Sequence, residues 1–473
     1  MNMPDPFFLR LFFVLPLCLA GCSLPASLPL DAPQPKHWLA QDEIPPPPVA
    51  SSPPVKQWWH AFHSPLLDTL MNESLQHNRD LQTSRASLAE ARQVWQASAD
   101  SRWPQADLLA DAGRQKYGQA LFGPANFVIP PFTYIEAGPA ISWTADLSGR
   151  QRATVARSLA LAKNQRYRLE ATWLMISQQI AMLSFDLAEA EDEQLLRRQI
   201  IDIDQQLQDL MKQSRLAGAA TRPEETSSMA RLDADRTALP ELEQRISSDR
   251  HALASLLGIT PDQQNLPVIS LHGFTLPEPP LSLPSALAHQ RPDILAAESS
   301  LHAAEATYGF ATASHYPDIT LSAQWLQEAL TPAGLFHAAN AAWAMGAGVD
   351  LPIANGGKLD AQTEAARQGM LAARSQYQQT VLEAFRQVAD QLTALSHDHQ
   401  LQTDRHQATQ TSREQLDMDQ FRRQTGDAGV LPELADRRDL LTRQIAELQV
   451  RQARLRDSAG LLVSLGGSGI PEQ

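Results

Sequence analysis

Residues 150–217 contain neither glycine nor proline, and their apolar side chains recur at alternating steps of four and three: Val155, Leu159, Ala162, then Leu169, Trp173, Ile176, Ile180, Leu183 and Leu187. A second block, Leu196, Ile200, Ile203, Leu207 and Leu210, keeps the spacing in a shifted phase, and Val381, Phe385, Val388, Leu392 and Leu395 repeat it later. Such heptads predict long helices packed knobs-into-holes. A helix of this length spans on the order of 95 Å at 1.5 Å per residue, which suits a coiled coil or a tube of helices rather than an ordinary globular core. The helices end at Arg215-Leu216-Ala217-Gly218 and Arg423-Gln424-Thr425-Gly426, where glycine supplies the usual C-cap. Return helices are predicted from about Pro223 to Leu257 and from about Pro432 to Leu465, the first kinked at Pro240. Each long helix therefore belongs to a hairpin.

Elsewhere the period changes to two. Ile135, Ala137, Ile141, Trp143, Ala145 and Leu147 alternate with polar or small residues, as do Ile319 to Trp325 and Trp343 to Leu351; a first strand over Ala106–Asp111 is less regular. Taken alone, this alternation reads as a soluble, half-buried sheet. It is also the pattern of an outer-membrane strand.

The chain repeats itself. Asp80-Leu81 and Trp103-Pro104 match Asp293-Ile294 and Tyr316-Pro317 at an offset of 213, and Gly149-Arg150, Gly218 and Leu257-Gly258 match Gly357-Lys358, Gly426 and Leu465-Gly466 at 208. A duplicated domain follows, each copy a helix, two strands and a long helical hairpin. The expected divisions are a signal (1–21), a Pro-rich segment (22–62), the first repeat (63–268), a Pro-rich linker (269–284), the second repeat (285–467) and a tail (468–473). Four strands cannot close a barrel, and a lipid-exposed edge is not tolerated. Three copies give about twelve strands and as many long helices, an even-numbered barrel above a tube.

Composition narrows the setting. The net charge of −14 gives no basic surplus for nucleic acid. No apolar run reaches the ~18–20 residues of a spanning helix. The N-terminus has one Arg, a short apolar stretch and small residues before a cysteine, the layout of a secretory signal. Leu19-Ala20-Gly21-Cys22 resembles the bacterial lipobox, which implies cleavage before Cys22 and covalent lipid on its thiol; with Cys18 removed, Cys22 is the only cysteine left and no disulfide forms within the chain. Ser23 rather than Asp follows it, which favours outer-membrane sorting. The ten prolines between Pro25 and Pro54 read as an extended tether. The lipobox tips the strands towards the membrane reading.

The mature chain resembles the TolC superfamily, in its OprM/NodT branch of outer-membrane efflux lipoproteins. The resemblance rests on Trp58-Trp59 with Phe62, Arg291-Pro292-Asp293-Ile294, Ala297-Glu298, Tyr316-Pro317-Asp318-Ile319, Leu351-Pro352-Ile353 with Gly356-Gly357, and Ser464-Leu465-Gly466-Gly467. It implies an α+β, mostly α fold: a homotrimer with a 12-stranded outer-membrane barrel and a 12-helix periplasmic barrel. It implies a passive exit duct, not an enzyme, for drugs or other small toxic compounds, in outer-membrane lipid and extending into the periplasm. The implied partners are a periplasmic adaptor of the membrane-fusion type and an inner-membrane efflux transporter that supplies the energy. No cofactor is implied beyond the lipid on Cys22.

Asp146-Leu147-Ser148-Gly149-Arg150 departs from the family's Asp-Leu-Trp-Gly-Arg, and two acidic pore positions of the second tip fall here on Pro432 and Ala435. The gate is therefore assigned to a region. Its candidates are Arg222, Glu224 and Glu225 at the first tip and Asp427, Glu433 and Asp436 at the second, with Arg222, Arg422 and Arg423 as partners for the acids. Gly218, Gly426 and Gly429 are the turn and adaptor-docking candidates. Neutralising Arg222 with Glu433 and Asp436 is expected to open the duct, and the trimer's formal −42 (three times −14) to favour cations.

The sequence has no P-loop, G-x-S-x-G or H-E-x-x-H motif. His397 and His399 point apart on a helix and share no metal. Two other readings stay open: an exit duct for protein secretion through a type I exporter, and a lipid-anchored coiled coil that only spaces the envelope.

Overall fold

The computed structural model describes residues 57–116, 130–263, 266–277 and 290–466. Cys22, the signal and the tether up to residue 56 lie outside the described residues. The elements are a 3-10 turn (Trp58–Phe62), α1 (Pro65–His77), α2 (Arg79–Asp100), β1 (Gln105–Gln115), β2 (Phe132–Ala145), α3 (Arg150–Leu216), α4 (Arg222–Leu257), α5 (Pro292–Ala313), β3 (Asp318–Ala329), β4 (Ala341–Asp350), α6 (Lys358–Thr425) and α7 (Val430–Ser464). At 67 and 68 residues, α3 and α6 each span about 100 Å of helix axis.

The duplication seen in the sequence is present in the backbone. Gly149 and Gly357, Gly218 and Gly426, and Gly258 and Gly466 are matched pairs, and all six have φ between 74° and 83°. Only glycine adopts that region freely, so the same turns recur in both copies. Pro240 lies inside α4, which continues through it from Arg222 to Leu257. The first helix of the first copy is divided at Asn78, whose Oδ1 accepts from the Leu81 amide (2.9 Å) and whose Nδ2 donates to the Leu256 carbonyl (2.8 Å). Gly258 lies against that break, where a Cβ would stand 2.3 Å from the His77 carbonyl oxygen.

The chain divides into two units. One comprises Leu88–Asn164 and Ala297–Gln376 and holds the sheet. Its strands form an antiparallel meander in the order β1-β2-β3-β4. Partnered residues share a face, so Ala106, Leu108, Ile141, Trp143, Leu321, Trp325, Trp343, Met345 and Val349 stand on one side. Trp325, Trp343 and Met345 are 58%, 75% and 76% exposed, an apolar face that no described residue of the protomer covers. The opposite face carries Asp107, Asp111, Glu136, Asp318, Glu328 and Asp350 among small and polar residues, with Leu109, Phe132, Tyr134 and Leu326 as its larger apolar or aromatic members. β1 runs past the expected strand to Gln115 and β2 begins earlier, at Phe132, but β2 ends at Ala145, so Leu147 lies beyond it. Pro139 falls within β2 and has a partner in β1, but the β2–β3 register passes over it and Gly138. Proline has no N–H to give that ladder. A Cβ at Gly138 would lie 2.0 Å from the Trp325 carbonyl oxygen, so the close approach of β3 there requires glycine.

The other unit comprises the described parts of Ala32–Ser87, Gln165–Ala296 and Tyr377–Gln473. An aromatic cluster anchors its N-terminal turn. Trp59 meets Trp173 edge-on at 5.8 Å, Phe62 meets Phe185 at 5.1 Å, and Phe185 meets Phe274 edge-on at 5.0 Å. The Trp58 indole donates to Ser177 Oγ (3.1 Å), which satisfies its buried N–H. The acidic run Glu189–Glu193 interrupts the heptads of α3 for a reason. Glu191 accepts from the Arg250 guanidinium and the Ile269 amide (2.6 Å). Asp192 accepts from the Ser270 hydroxyl (3.0 Å) and the Leu271 amide (2.9 Å). The run thereby fastens the segment after α4 along α3.

Candidate functional site

The hairpin tips are built alike. Gly218 N–H donates to the Arg215 carbonyl (3.0 Å) and Ala219 N–H to the Ser214 carbonyl (2.8 Å); Gly426 and Asp427 do the same to Arg423 (3.2 Å) and Arg422 (2.8 Å). These are Schellman closures, which explain the glycines as left-handed caps. Gly429 differs: it is the N-cap of α7, at φ −80°.

Each tip is tied by one ion pair between its two helices. Arg215 pairs with Glu225, and Arg423 Nε with Glu433 Oε2 at 2.8 Å. The offset of 208 that matches the glycines also matches Arg215 to Arg423 and Glu225 to Glu433, so one lock occurs twice. Arg215 was not among the sequence candidates, although the repeat contains the signal for it. Arg422 turns to Asp419 (3.1 Å), and Asp427 accepts from the Thr425 hydroxyl (3.0 Å). Arg222 has no ion pair among the described residues of its own chain. Glu224 completes a capping box with Thr221, whose backbone and hydroxyl hydrogen bonds hold this exposed carboxyl below the ordinary range.

Asp436 has no cationic partner within hydrogen-bond reach among the described residues. Burial, then a hydrogen bond that its protonated form donates to the facing Asp419, pushes its carboxyl up. A similar pair lies further along the same hairpin. Asp398, between the two exposed histidines, faces Asp457 on α7 and is pushed up to about 6 by burial and by that neighbour. Facing carboxyl groups are invisible to heptad reasoning, because their partners lie on another helix.

In the sheet unit, Asp146 caps α3 by accepting from the amides of Gln151 (3.0 Å) and Arg152 (2.9 Å). Gly149 makes the turn, and Arg150 pairs with Asp318 and stacks 5.1 Å over the Phe310 ring. Asp146, Gly149 and Arg150 thus serve as cap, turn and strut, and none of the three roles needs the tryptophan that Ser148 replaces. On the polar face, Asp111 stands opposite Glu136, and Glu136 opposite Glu328, three carboxylates in one row across three strands. Tyr134 donates to Asp111 (2.8 Å). Arg114 is the one cation in the four strands, and its register puts it on the other face. Like charges directly opposite weaken a sheet, so the row is a cost borne by the fold. Among the described residues, no three His, Cys, Asp or Glu side chains gather into a metal-holding group, and no helix is long and apolar enough to cross a membrane.

The profile of the outer membrane efflux protein family matches residues 70–259 and 283–467. The chain is 28% identical over 461 residues to the pyoverdine export outer membrane protein OpmQ of Pseudomonas aeruginosa, covering 95% of both chains. It is 29% identical over 424 residues to the multidrug resistance outer membrane protein MdtQ of Escherichia coli, covering 83% of this chain and 85% of the other. The crystal structure of the outer membrane protein VceC from Vibrio cholerae superposes with a TM-score of 0.76 at 26% identity, over 87% of this chain and 99% of that one.

Proposed function

Because the chain belongs to the outer membrane efflux protein family, we propose that three copies close the exit duct of a tripartite efflux pump. The protein is an outer-membrane efflux channel, passive and not an enzyme. The observation that carries the trimer is the sheet: four strands with free outer edges on β1 and β4, apolar on one side and acidic on the other. Joining β4 of one copy to β1 of the next removes every edge and turns the apolar face to lipid. The long hairpins then line a helical tube. A periplasmic adaptor docks on their tips, where Gly218, Gly426 and Gly429 allow the turns to adjust, and an inner-membrane transporter supplies the energy. The cargo is a drug or other small toxic compound, in keeping with relatives named for pyoverdine export and for multidrug resistance.

The acidic face lines the lumen in this arrangement, with a row of carboxylates and no lysine or arginine on that face of the four described strands. The trimer therefore passes cations in preference to anions. Reversal potentials under a salt gradient measure this, and Glu136→Gln with Glu328→Gln reduces the preference. Anion preference in the unaltered protein contradicts the assignment of the lumen.

We also propose that Cys22 carries the lipid. Cys22→Ser abolishes incorporation of radiolabelled palmitate while the trimer still assembles, since the barrel and not the lipid supplies most of the membrane attachment. Label retained on the variant refutes it.

A further inference from the structure

The two hairpins of a protomer meet along a seam between α3 and α7. Ile200, Ile203 and Leu207 of α3 pack there with Leu434, Leu441 and Ile445 of α7. Two ionisable groups stand within this apolar seam. Arg438 Nε lies 2.7 Å from Asp204 Oδ1, and Asp204 is 2% exposed. Arg438 Nη2 also donates to Asp235 Oδ2 of α4 at 2.6 Å. The other oxygen of Asp235 accepts from Arg197 of α3 (3.2 Å), whose Nε reaches Glu193 (2.9 Å). Asp439, beside Arg438 on α7, is turned to Arg443 (2.6 Å) and to the Ser412 hydroxyl of α6 (2.8 Å).

Four carboxyl groups, Glu189, Glu193, Asp204 and Asp235, thus share three guanidiniums, Arg197, Arg245 and Arg438, with Glu189 meeting both Glu193 and Arg245. If all were ionised, one buried negative charge would be uncompensated, a costly state for any interior. Asp204 Oδ2 is moreover buried with no donor to satisfy it. Both aspartates sit on the one Arg438 guanidinium, and their carboxyl groups interact with each other. One proton on Asp204, donated to Asp235, removes both faults.

We propose that Asp204, Asp235 and Arg438 form a proton-dependent clasp between the two helical hairpins, closed while the two aspartates share a proton and loosened when it leaves. Burial, and then the hydrogen bond with Asp235, holds Asp204 above the ordinary aspartate range. For Asp235 burial acts in the same direction, but the hydrogen bonds from Asp204 and Arg438 outweigh it and the group is held low. The two titrate as one unit, and the last proton to leave is the shared one. A group raised in the folded state contributes fully in acid, below its unfolded value, and its contribution is lost as pH rises through the raised value. The clasp is therefore tight in acid and loosens as pH rises through the raised value. A simple ion pair between Asp204 and Arg438 has the opposite sign, weakening as the carboxylate is protonated.

In the channel proposed above, on which the physiological meaning of the clasp rests, acidification of the periplasm holds the α6–α7 hairpin against α3–α4 and opposes opening. The test measures the seam itself, so it stands apart from conduction. Spin labels on Gln206→Cys and Ala435→Cys, in detergent-extracted full-length protein diluted with unlabelled chains, report the α3–α7 distance by pulsed dipolar spectroscopy. Between pH 5 and pH 8 the unaltered seam lengthens or broadens. Asp204→Asn, whose amide mimics the protonated acid, abolishes that shift and stays short at both values. Should that variant not assemble, Asp235→Asn is the second reagent, with the same loss of pH dependence expected. Arg438→Gln is long at both. A distance unchanged between the two pH values, one that shortens as pH rises, or an Asp-to-Asn variant that titrates like the unaltered protein overturns the proposal. Absence of current from the same preparation in a planar bilayer would instead count against the channel reading and leave the distance test intact.

Discussion

Replacing Phe185 with alanine lowers the stability of the folded protomer by about 3–5 kcal/mol, the usual cost of emptying a buried aromatic site. Phe185 is fully buried and touches both Phe62 of the N-terminal turn and Phe274 of the segment after α4. Its ring joins two stretches of chain that have little regular structure of their own to hold them. The cavity cannot collapse easily, because α3 is fixed on either side by Trp173 against Trp59 and by Glu191 and Asp192 against residues 269–271. We expect a large loss of membrane-extracted trimer and a fall in its thermal transition, with Phe185→Leu intermediate. Normal yield and an unchanged transition would show that the cluster is dispensable.

The second large effect is on gating. Arg215→Gln together with Arg423→Gln removes the duplicated ion pair from both tips. Exposed pairs are worth about 0–1 kcal/mol each. Two per protomer and six per trimer, at ~0.5 kcal/mol, amount to ~3 kcal/mol, or about a hundredfold in the population of open tips. Weak, screened contacts of this kind suit a closure that an adaptor must reverse. The variant raises conductance at rest and sensitises cells to bulky antibiotics, while trimer yield stays normal because the packing of the helices is untouched. This refines the combination that sequence alone suggests, Arg222 with Glu433 and Asp436: in the protomer Glu433 belongs to Arg423 and Asp436 faces Asp419. Unchanged conductance in the Arg215 and Arg423 variant would place the constriction higher in the helices.

Much of this architecture is legible because it repeats. The heptads announce α3 and α6, the two sets of glycines mark the same turns, and the period of two marks the strands to within a few residues. Other features are not legible, and the reason is physical. A heptad states that one face of a helix is buried, but not which helix covers it. Asp204 and Arg438 are 234 residues apart, and nothing near either indicates that they meet. Asp398 sits between two exposed histidines and reads as part of a solvated face, yet the packing of α6 on α7 turns it towards Asp457. The division at Asn78 depends on the Leu256 carbonyl of another helix. The Arg215–Glu225 lock is the exception, since the 208-residue offset projects it onto Arg423 and Glu433.

The central claim is that three copies of this chain enclose a continuous passage. Single-channel recording tests it most directly, with the detergent-extracted fraction whose native mass equals three chains reconstituted in a planar bilayer. The account predicts discrete, ohmic current steps that favour cations and become larger or more frequent when Arg215 and Arg423 are replaced together. A trimeric fraction that inserts into the bilayer and passes no current, in the unaltered protein and in that variant alike, would contradict it.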